Sequence, residues 1–243
     1  MKCGMGQMKP SQNEELTEGE GYTIIEGVVS HDLIKSIRTK YSQLRMVRAS
    51  AHGKQYAEGN AVKNLPDIAV WWSQDLSSWP EVQEIDANIS PIAQMYLPAA
   101  RFYCSDIVVI EAKSNSHWIN PHVDTPHRFK RWNYDTRLLG IQCVIPLVTV
   151  DHLNGATGLV VGSQKRDHNI KLCYEGYYDS DFRDTVMQPS VNMGDVLMYN
   201  ARVLHSSMPN HSSAPRPALL INYLHSDLIN EVGTIDNIWA SNA

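Results

Sequence analysis

The sequence has few cysteines and no pair of them in a CxxC spacing. The four cysteines among the 243 residues are Cys3, Cys104, Cys143 and Cys173. A chain of this length can bury a sizeable core without disulfide bonds. We therefore expect reduced thiols and a cytoplasmic protein.

Long apolar runs and blocks of like charge are also missing. No run approaches the 18 or so apolar residues that a membrane-spanning helix needs, and the first 21 residues have no apolar core that would indicate a signal peptide. The net charge is −5, with no acidic or basic block. This argues against a nucleic acid or an anionic membrane as the main partner.

The composition is that of a globular protein, with 43% hydrophobic and 19% charged residues. We expect one domain over residues 1–243. Residues 1–20 are polar and predict a mobile tail. Residues 21–100 predict a strand and helices that cap the domain, with Ser30 as the N-cap of the first long helix. Residues 101–230 predict a jelly-roll core.

The prediction of a jelly roll comes from a change in the sequence pattern at residue 101. Short β-rich runs follow one another, separated by turn residues such as Asn-Gly at 154–155. The runs are DIVVIEA, RLLGIQCVIPLVTV, GLVVG, DTVMQPSV, DVLMYN, RVLHSS and PALLINYLH. This spacing is typical of a sandwich or barrel of antiparallel strands, so the fold class is mainly β with α.

The stretch NPHVDTPH contains a candidate half of a metal site. His122 and Asp124 are two positions apart, so at the end of a strand they point to the same face. His205, in the strand-like RVLHSS, offers a third ligand. Two histidines and a carboxylate on one face of an octahedron are typical of non-haem Fe(II) oxygenases, although zinc hydrolases also use this donor set. The pair His225 and Asp227 has the same spacing, but no histidine follows it.

Arg216 opens the strand-like run RPALLINYL. On a strand it shares a face with Ala218, Leu220 and Asn222. If that face is buried, the guanidinium needs an anionic partner, and no acidic residue lies nearby in the sequence. A dicarboxylate ligand would supply one through a bidentate pair. The alternative is a surface arginine that follows a proline-rich turn.

These motifs, taken in order, resemble the phytanoyl-CoA dioxygenase family of Fe(II)- and 2-oxoglutarate-dependent oxygenases. The matching segments are GYTIIEGVVSHDLIKSIRTKYSQL, PHVD, NGATGLVVGSQKRDH and MGDVLMYNARVLHSSMPNHSSAPRPALLINYLH. Val161 and Gln164 stand where the family usually has proline and histidine.

The resemblance implies a double-stranded β-helix, a cupin-like jelly roll. It also implies an enzyme that uses Fe(II), 2-oxoglutarate and O2 to hydroxylate a small molecule, with 2-oxoglutarate decarboxylated to succinate. His122, Asp124 and His205 would bind the iron, and Arg216 would hold the distal carboxylate of 2-oxoglutarate.

Other positions carry weaker hypotheses. Ser207 shares a face with His205, and its hydroxyl could support the carboxylate or its arginine. Gln142 is either a hydrogen-bond partner of the cosubstrate or an outward-facing strand residue. The segment HRFKRW is either an exposed charged loop or the mouth of the site, where Arg128, Lys130 and Arg131 could select an anionic substrate. The candidate substrate residues are His127, Arg128 and Arg131.

Two other classes of protein remain open from the residues alone. A metal-dependent hydrolase could use the same three metal ligands, but it would not need Arg216. A non-catalytic cupin-like binding protein could keep the barrel without the chemistry. The identity of the substrate and the oligomeric state are left open by the sequence.

Overall fold

Two antiparallel β-sheets and a layer of helices make up the part of the chain described by this computed structural model. The described residues are 12–52, 68–72, 76–113, 123, 137–166 and 186–232. The helices are α1 (Gln12–Thr17), α2 (His31–His52), α3 (Pro80–Tyr96) and α4 (Ser226–Val232), with short 3-10 helices at Leu76–Ser78 and Ser163–Lys165. The strands are β1 (Tyr22–Ile25), β2 (Ile68–Trp72), β3 (Ala100–Ile110), β4 (Gly140–Pro146), β5 (Thr157–Val160), β6 (Val186–Met187), β7 (Val196–Asn200), β8 (His205–Ser207) and β9 (Arg216–His225).

The strands form one large sheet and one small sheet. The larger sheet has the order β1-β7-β4-β9-β3-β2, and the smaller has the order β6-β5-β8. All neighbouring pairs are antiparallel. Each of the seven β-rich runs expected after residue 101 contains a strand, whereas β2 was not anticipated. The predicted succession of antiparallel strands is therefore confirmed.

The two faces of the larger sheet contact different layers. On β4, Ile141, Cys143 and Ile145 pack with the helices in the main hydrophobic core. Between them, Val144 packs with Leu159 of the smaller sheet. We call this second face the inner face, because it lies between the two sheets. Alternate residues of a strand point to opposite sides, so the even-numbered residues of β4 line the inner face.

Helix α2 begins where the sequence predicts. The hydroxyl of Ser30 accepts a hydrogen bond from the amide of Leu33 at 3.3 Å, which satisfies one of the unpaired donors of the first turn. The helix carries an apolar stripe, which is buried at Ile34, Ile37 and Tyr41. It packs in the same core as α3 and the outer face of the larger sheet. The helices therefore cover the face of the sheet opposite to the smaller sheet.

The prediction of a mobile tail over residues 1–20 does not fit residues 12–20. Residues Gln12–Thr17 form α1, and Leu16 is fully buried in the main core. Gln164 donates hydrogen bonds to the carbonyls of Thr17 and Gly19 at 3.2 and 3.1 Å. Long-range contacts thus hold a segment whose composition is typical of a tail. Residues 1–11 lie outside the described part of the chain.

Two further features complete the description of the fold. No helix in the described ranges is long and apolar enough to cross a membrane. Cys143 is a buried free thiol, and Cys104 on β3 is half-buried. Cys3 and Cys173 lie outside the described residues.

Candidate active site

His205 stands at the start of β8 with its imidazole buried. Only 5% of the residue is exposed, and Nδ1 lies 2.9 Å from the carbonyl oxygen of Val203. Burial lowers the pKa of His205 to about 4, so the ring is neutral at neutral pH. A carbonyl only accepts hydrogen bonds, so Nδ1 carries the proton and Nε2 keeps its lone pair. Neutral imidazole in this tautomer is a metal ligand.

Tyr199 links His205 to Arg216. The Tyr199 and His205 ring centroids are 4.9 Å apart, and their planes are tilted by 55°. The Tyr199 side chain also lies close enough to Arg216 to favour its cationic form electrostatically. Tyr199 is 2% exposed and belongs to the hydrophobic cluster of the inner face that also contains Val144 and Leu159, which we call the inner-face cluster. The histidine and the arginine that were predicted to share a site therefore both lie near Tyr199.

Arg216 is a buried cation on the inner face. It is 2% exposed, and the neighbouring residue on the same face, Ala218, belongs to the inner-face cluster. The alternative of a surface arginine is therefore wrong. Burial lowers the pKa of Arg216 to about 10, which leaves it protonated at neutral pH. A cation in this position needs an anionic partner.

The described residues satisfy this guanidinium only in part. Nη2 donates a hydrogen bond to the hydroxyl of Thr157 at 3.3 Å. Nε is buried without a hydrogen-bond partner, and neither of the two ion pairs found among the described residues includes Arg216. A carboxylate can accept two hydrogen bonds from one guanidinium. The site thus fits an anionic ligand such as the distal end of 2-oxoglutarate.

Thr157 is a site residue that the sequence analysis missed. It lies on β5 directly opposite Ser207 of β8, in the same pairing that sets Leu159 opposite His205. The register therefore places Ser207 beside Thr157, the hydrogen-bond partner of Arg216, and the role of Ser207 stays a prediction. Thr157 carries no local signal of this role, because its contact with Arg216 joins strands from different sheets.

Gln142 lies in a polar row that crosses the inner face. Its register neighbours are Tyr199 on β7 and Asn222 on β9, and Asn222 is paired in turn with Cys104 on β3. Asn222 donates a hydrogen bond to the sulfur of Cys104 at 3.4 Å. Gln142 is 2% exposed, and its Oε1 has no partner. The alternative of an outward-facing residue is therefore wrong, and a buried acceptor remains for a ligand.

Five predicted site residues lie outside the described part of the chain. They are His122, Asp124, His127, Arg128 and Arg131. Because His122 and Asp124 are among them, no group of three potential metal ligands occurs within the described residues. Their roles stay predictions.

The second His-x-Asp pair lies elsewhere, at the junction of β9 and α4. His225 ends the strand, and Asp227 lies in the first turn of the helix. Their side chains are 3.6 Å apart, and the side chain of Asp227 is 70% exposed. An exposed turn of this kind is not the strand-end arrangement that would aim both groups at a shared metal.

Fold and site together define a class of protein: a jelly roll with a buried, neutral histidine and an unsatisfied arginine between its sheets. The sequence matches the model of the family phytanoyl-CoA dioxygenase (PhyH) over residues 17–218, so the chain belongs to this family. It is an enzyme of the Fe(II)- and 2-oxoglutarate-dependent oxygenase type. A search of curated proteins gave no match.

Solved structures share the fold at low sequence identity. The carbocyclase SnoK of nogalamycin biosynthesis is 19% identical, with a TM-score of 0.62 over 90% of this chain and 85% of its own. EvdO2 from Micromonospora carbonacea var. aurantiaca, complexed with 2-oxoglutarate, is 15% identical, with a TM-score of 0.63 and coverages of 90% and 92%. HygX from Streptomyces hygroscopicus, with nickel and 2-oxoglutarate bound, is 15% identical, with a TM-score of 0.61 and coverages of 90% and 88%. The double-stranded β-helix expected from the sequence is thereby confirmed.

Proposed function

We propose that this enzyme hydroxylates a C–H bond of a small molecule, with decarboxylation of 2-oxoglutarate to succinate. The observation that carries the proposal is Arg216, a cation on the inner face that is 2% exposed. Its Nε has no partner among the described residues. A hydrolase with the same metal ligands would have no use for such a cation, whereas a dicarboxylate cosubstrate requires one.

The iron site is proposed to consist of His122, Asp124 and His205. His205 supports this role through its neutral ring, whose proton is held on Nδ1 by the carbonyl of Val203. Iron held by two histidines and one carboxylate supplies the activation of O2 that oxidises a C–H bond. The chain would contribute by holding these three ligands close together beside the cosubstrate site.

The cosubstrate site is proposed to extend from Arg216 to His205. Arg216 would bind the distal carboxylate, and the hydroxyls of Thr157 and Ser207 would support the arginine and the carboxylate. Gln142 would donate or accept a hydrogen bond at the end of the cosubstrate nearer the iron. Its register neighbour on β7 is Tyr199, which packs against His205. Because both Arg216 and His205 are buried, water is excluded and the pairing between charges is strengthened.

The substrate is proposed to be a small molecule that enters from the side of the segment HRFKRW. His127, Arg128 and Arg131 would contact it there, and the two arginines would favour an anionic group. SnoK carries out a carbocyclisation, so a related scaffold also supports outcomes other than hydroxylation. We propose a cytoplasmic location on the basis of the reduced thiols.

Succinate release tests the proposed function. Protein purified without oxygen would be mixed with Fe(II), 2-oxoglutarate and air, and succinate would be measured with and without iron. We expect iron-dependent succinate, increased by a matching substrate and abolished in His205→Ala. Binding of iron without any succinate would favour the binding protein, and hydrolysis of a test ester without 2-oxoglutarate would favour the hydrolase. A substrate library followed by mass spectrometry would then distinguish hydroxylation from other oxidations.

A further inference from the structure

One peptide group orients the imidazole of His205. This group joins Val203 to Leu204. Its carbonyl oxygen lies 2.9 Å from Nδ1 of His205, and its amide donates a hydrogen bond to the hydroxyl of Ser163 at 2.8 Å. Ser163 and His205 therefore bind opposite ends of the same planar unit.

The planarity of the peptide couples these two hydrogen bonds. Rotation of the unit would move its carbonyl away from Nδ1 and its amide away from Ser163 together, because the two groups cannot turn separately. The bonds also polarise one another, since an amide that donates makes its carbonyl a stronger acceptor. The serine hydroxyl thus favours the orientation of the carbonyl that keeps the proton on Nδ1.

Ser163 is itself held in place by its surroundings. It is fully buried and begins a short 3-10 helix after Gly162, whose φ of 76° lies in the left-handed region. The next residue, Gln164, is hydrogen-bonded to the carbonyls of Thr17 and Gly19. Arg202 donates to the carbonyl of Gln164 at 3.2 Å. These contacts join the turn of Ser163 to both the N-terminal segment and the turn that precedes His205.

We propose that Ser163 is a positioning residue for the iron site, which acts through the Val203–Leu204 peptide to fix the tautomer and orientation of His205. The proposal rests on the proposed role of His205 as an iron ligand. It also gives a physical role to the Gly-Ser of the segment VVGSQK, a turn that is distant from His205 in the sequence.

Ser163→Ala removes the acceptor and leaves the part-buried amide of Leu204 without this hydrogen bond. Partners that orient a metal-binding histidine contribute 10–100-fold to affinity in other metal sites. We expect Ser163→Ala to weaken Fe(II) binding by about tenfold or more, measured anaerobically by titration, with the folded structure retained.

Tyr223→Phe is the matched control. It removes a different part-buried hydrogen bond, from the hydroxyl of Tyr223 on β9 to Asp86 of α3 at 2.6 Å, on the face of the sheet that packs against the helices. It should lower the melting temperature and leave iron affinity unchanged. If both variants weaken iron binding in proportion to their loss of stability, Ser163 is merely structural and the proposal is overturned.

The tautomer of His205 is the readout that does not depend on metal or activity. Nitrogen NMR of the metal-free protein should show the proton of His205 on Nδ1 in the wild type and a mixture of tautomers in Ser163→Ala. If Ser163→Ala does not fold, Ser163→Cys keeps the side chain in place with a weaker acceptor and should show the same change in smaller degree. A wild-type proton on Nε2, or an unchanged tautomer in the variant, would overturn the proposal. Failure of the wild type to bind Fe(II) would instead contradict the proposed function and leave the tautomer result standing.

Discussion

The ring of Tyr199 packs against the imidazole of His205, with the ring centroids 4.9 Å apart and the planes tilted by 55°. The same side chain lies close enough to Arg216 to favour its charged form. One residue therefore contacts the candidate iron ligand through its ring and also lies near the candidate cosubstrate site. Substitutions at this position can separate the two functions.

Tyr199→Phe keeps the ring and removes the hydroxyl. We expect Fe(II) affinity to stay unchanged, because the packing against His205 remains. The KM for 2-oxoglutarate should rise by about 2- to 10-fold, because a polar group near Arg216 is lost, a change comparable in size to the loss of one hydrogen bond of about 0.5–1.5 kcal/mol. Tyr199→Ala, by contrast, should weaken iron binding and lower the free energy of unfolding by about 3–5 kcal/mol, since it creates a cavity in the core. Loss of iron binding in the Phe variant would contradict this division of roles.

The two His-x-Asp pairs of the chain provide an internal comparison for the metal site. His122→Ala, Asp124→Ala and His205→Ala should each reduce Fe(II) binding sharply, because each removes one of three proposed ligands. The controls His225→Ala and Asp227→Ala should bind iron as the wild type does, since that pair occupies an exposed strand–helix junction. Anaerobic titration with Fe(II) measures the iron affinity of all five variants. The assignment is wrong if the second pair proves necessary and the first dispensable.

Leu16 tests whether the segment around α1 belongs to the folded structure. Its side chain is fully buried in the main core, so Leu16→Ala should lower the free energy of unfolding by about 2–5 kcal/mol. Glu18→Ala, at an exposed position of the same segment, is the control and should change stability by less than about 0.5 kcal/mol. Urea denaturation followed by circular dichroism measures both. Equal stability of the Leu16 variant and the wild type would support the original prediction that this segment is a mobile tail.

The sequence predicted the strands and the strand face on which Arg216 lies for a simple physical reason, and it left open whether that face is buried. A side chain two positions along a strand shares the face of its neighbour, so the apolar residues after Arg216 indicate where its guanidinium points. Helix α2 could also be predicted from the sequence, because the N-cap residue Ser30 and the apolar stripe of Ile34 and Ile37 are local signals. Local patterns thus determined the elements and the residues that each one buries.

The contacts between distant segments were not predictable in this way. Helix α1 has only six residues, and such a short helix depends on tertiary packing rather than on its own propensity. Gln164, which holds it, lies 147 positions from Thr17. Thr157 and Tyr199 were missed for the same reason, since each becomes a site residue only through strands that are distant along the chain.

Arg216 offers the most direct test of the central claim, which is that this family member holds 2-oxoglutarate through a buried guanidinium. Removal of one partner from a buried charge pair costs about 2–5 kcal/mol in other interfaces, and each 1.4 kcal/mol is tenfold in affinity. The KM for 2-oxoglutarate in iron-dependent succinate release should therefore rise by about thirty-fold or more in Arg216→Ala. It should recover only partly in Arg216→Lys, because an ammonium cannot form the bidentate pair. Fe(II) affinity should stay close to that of the wild type in both variants. An Arg216→Ala enzyme with normal turnover of 2-oxoglutarate would contradict the account.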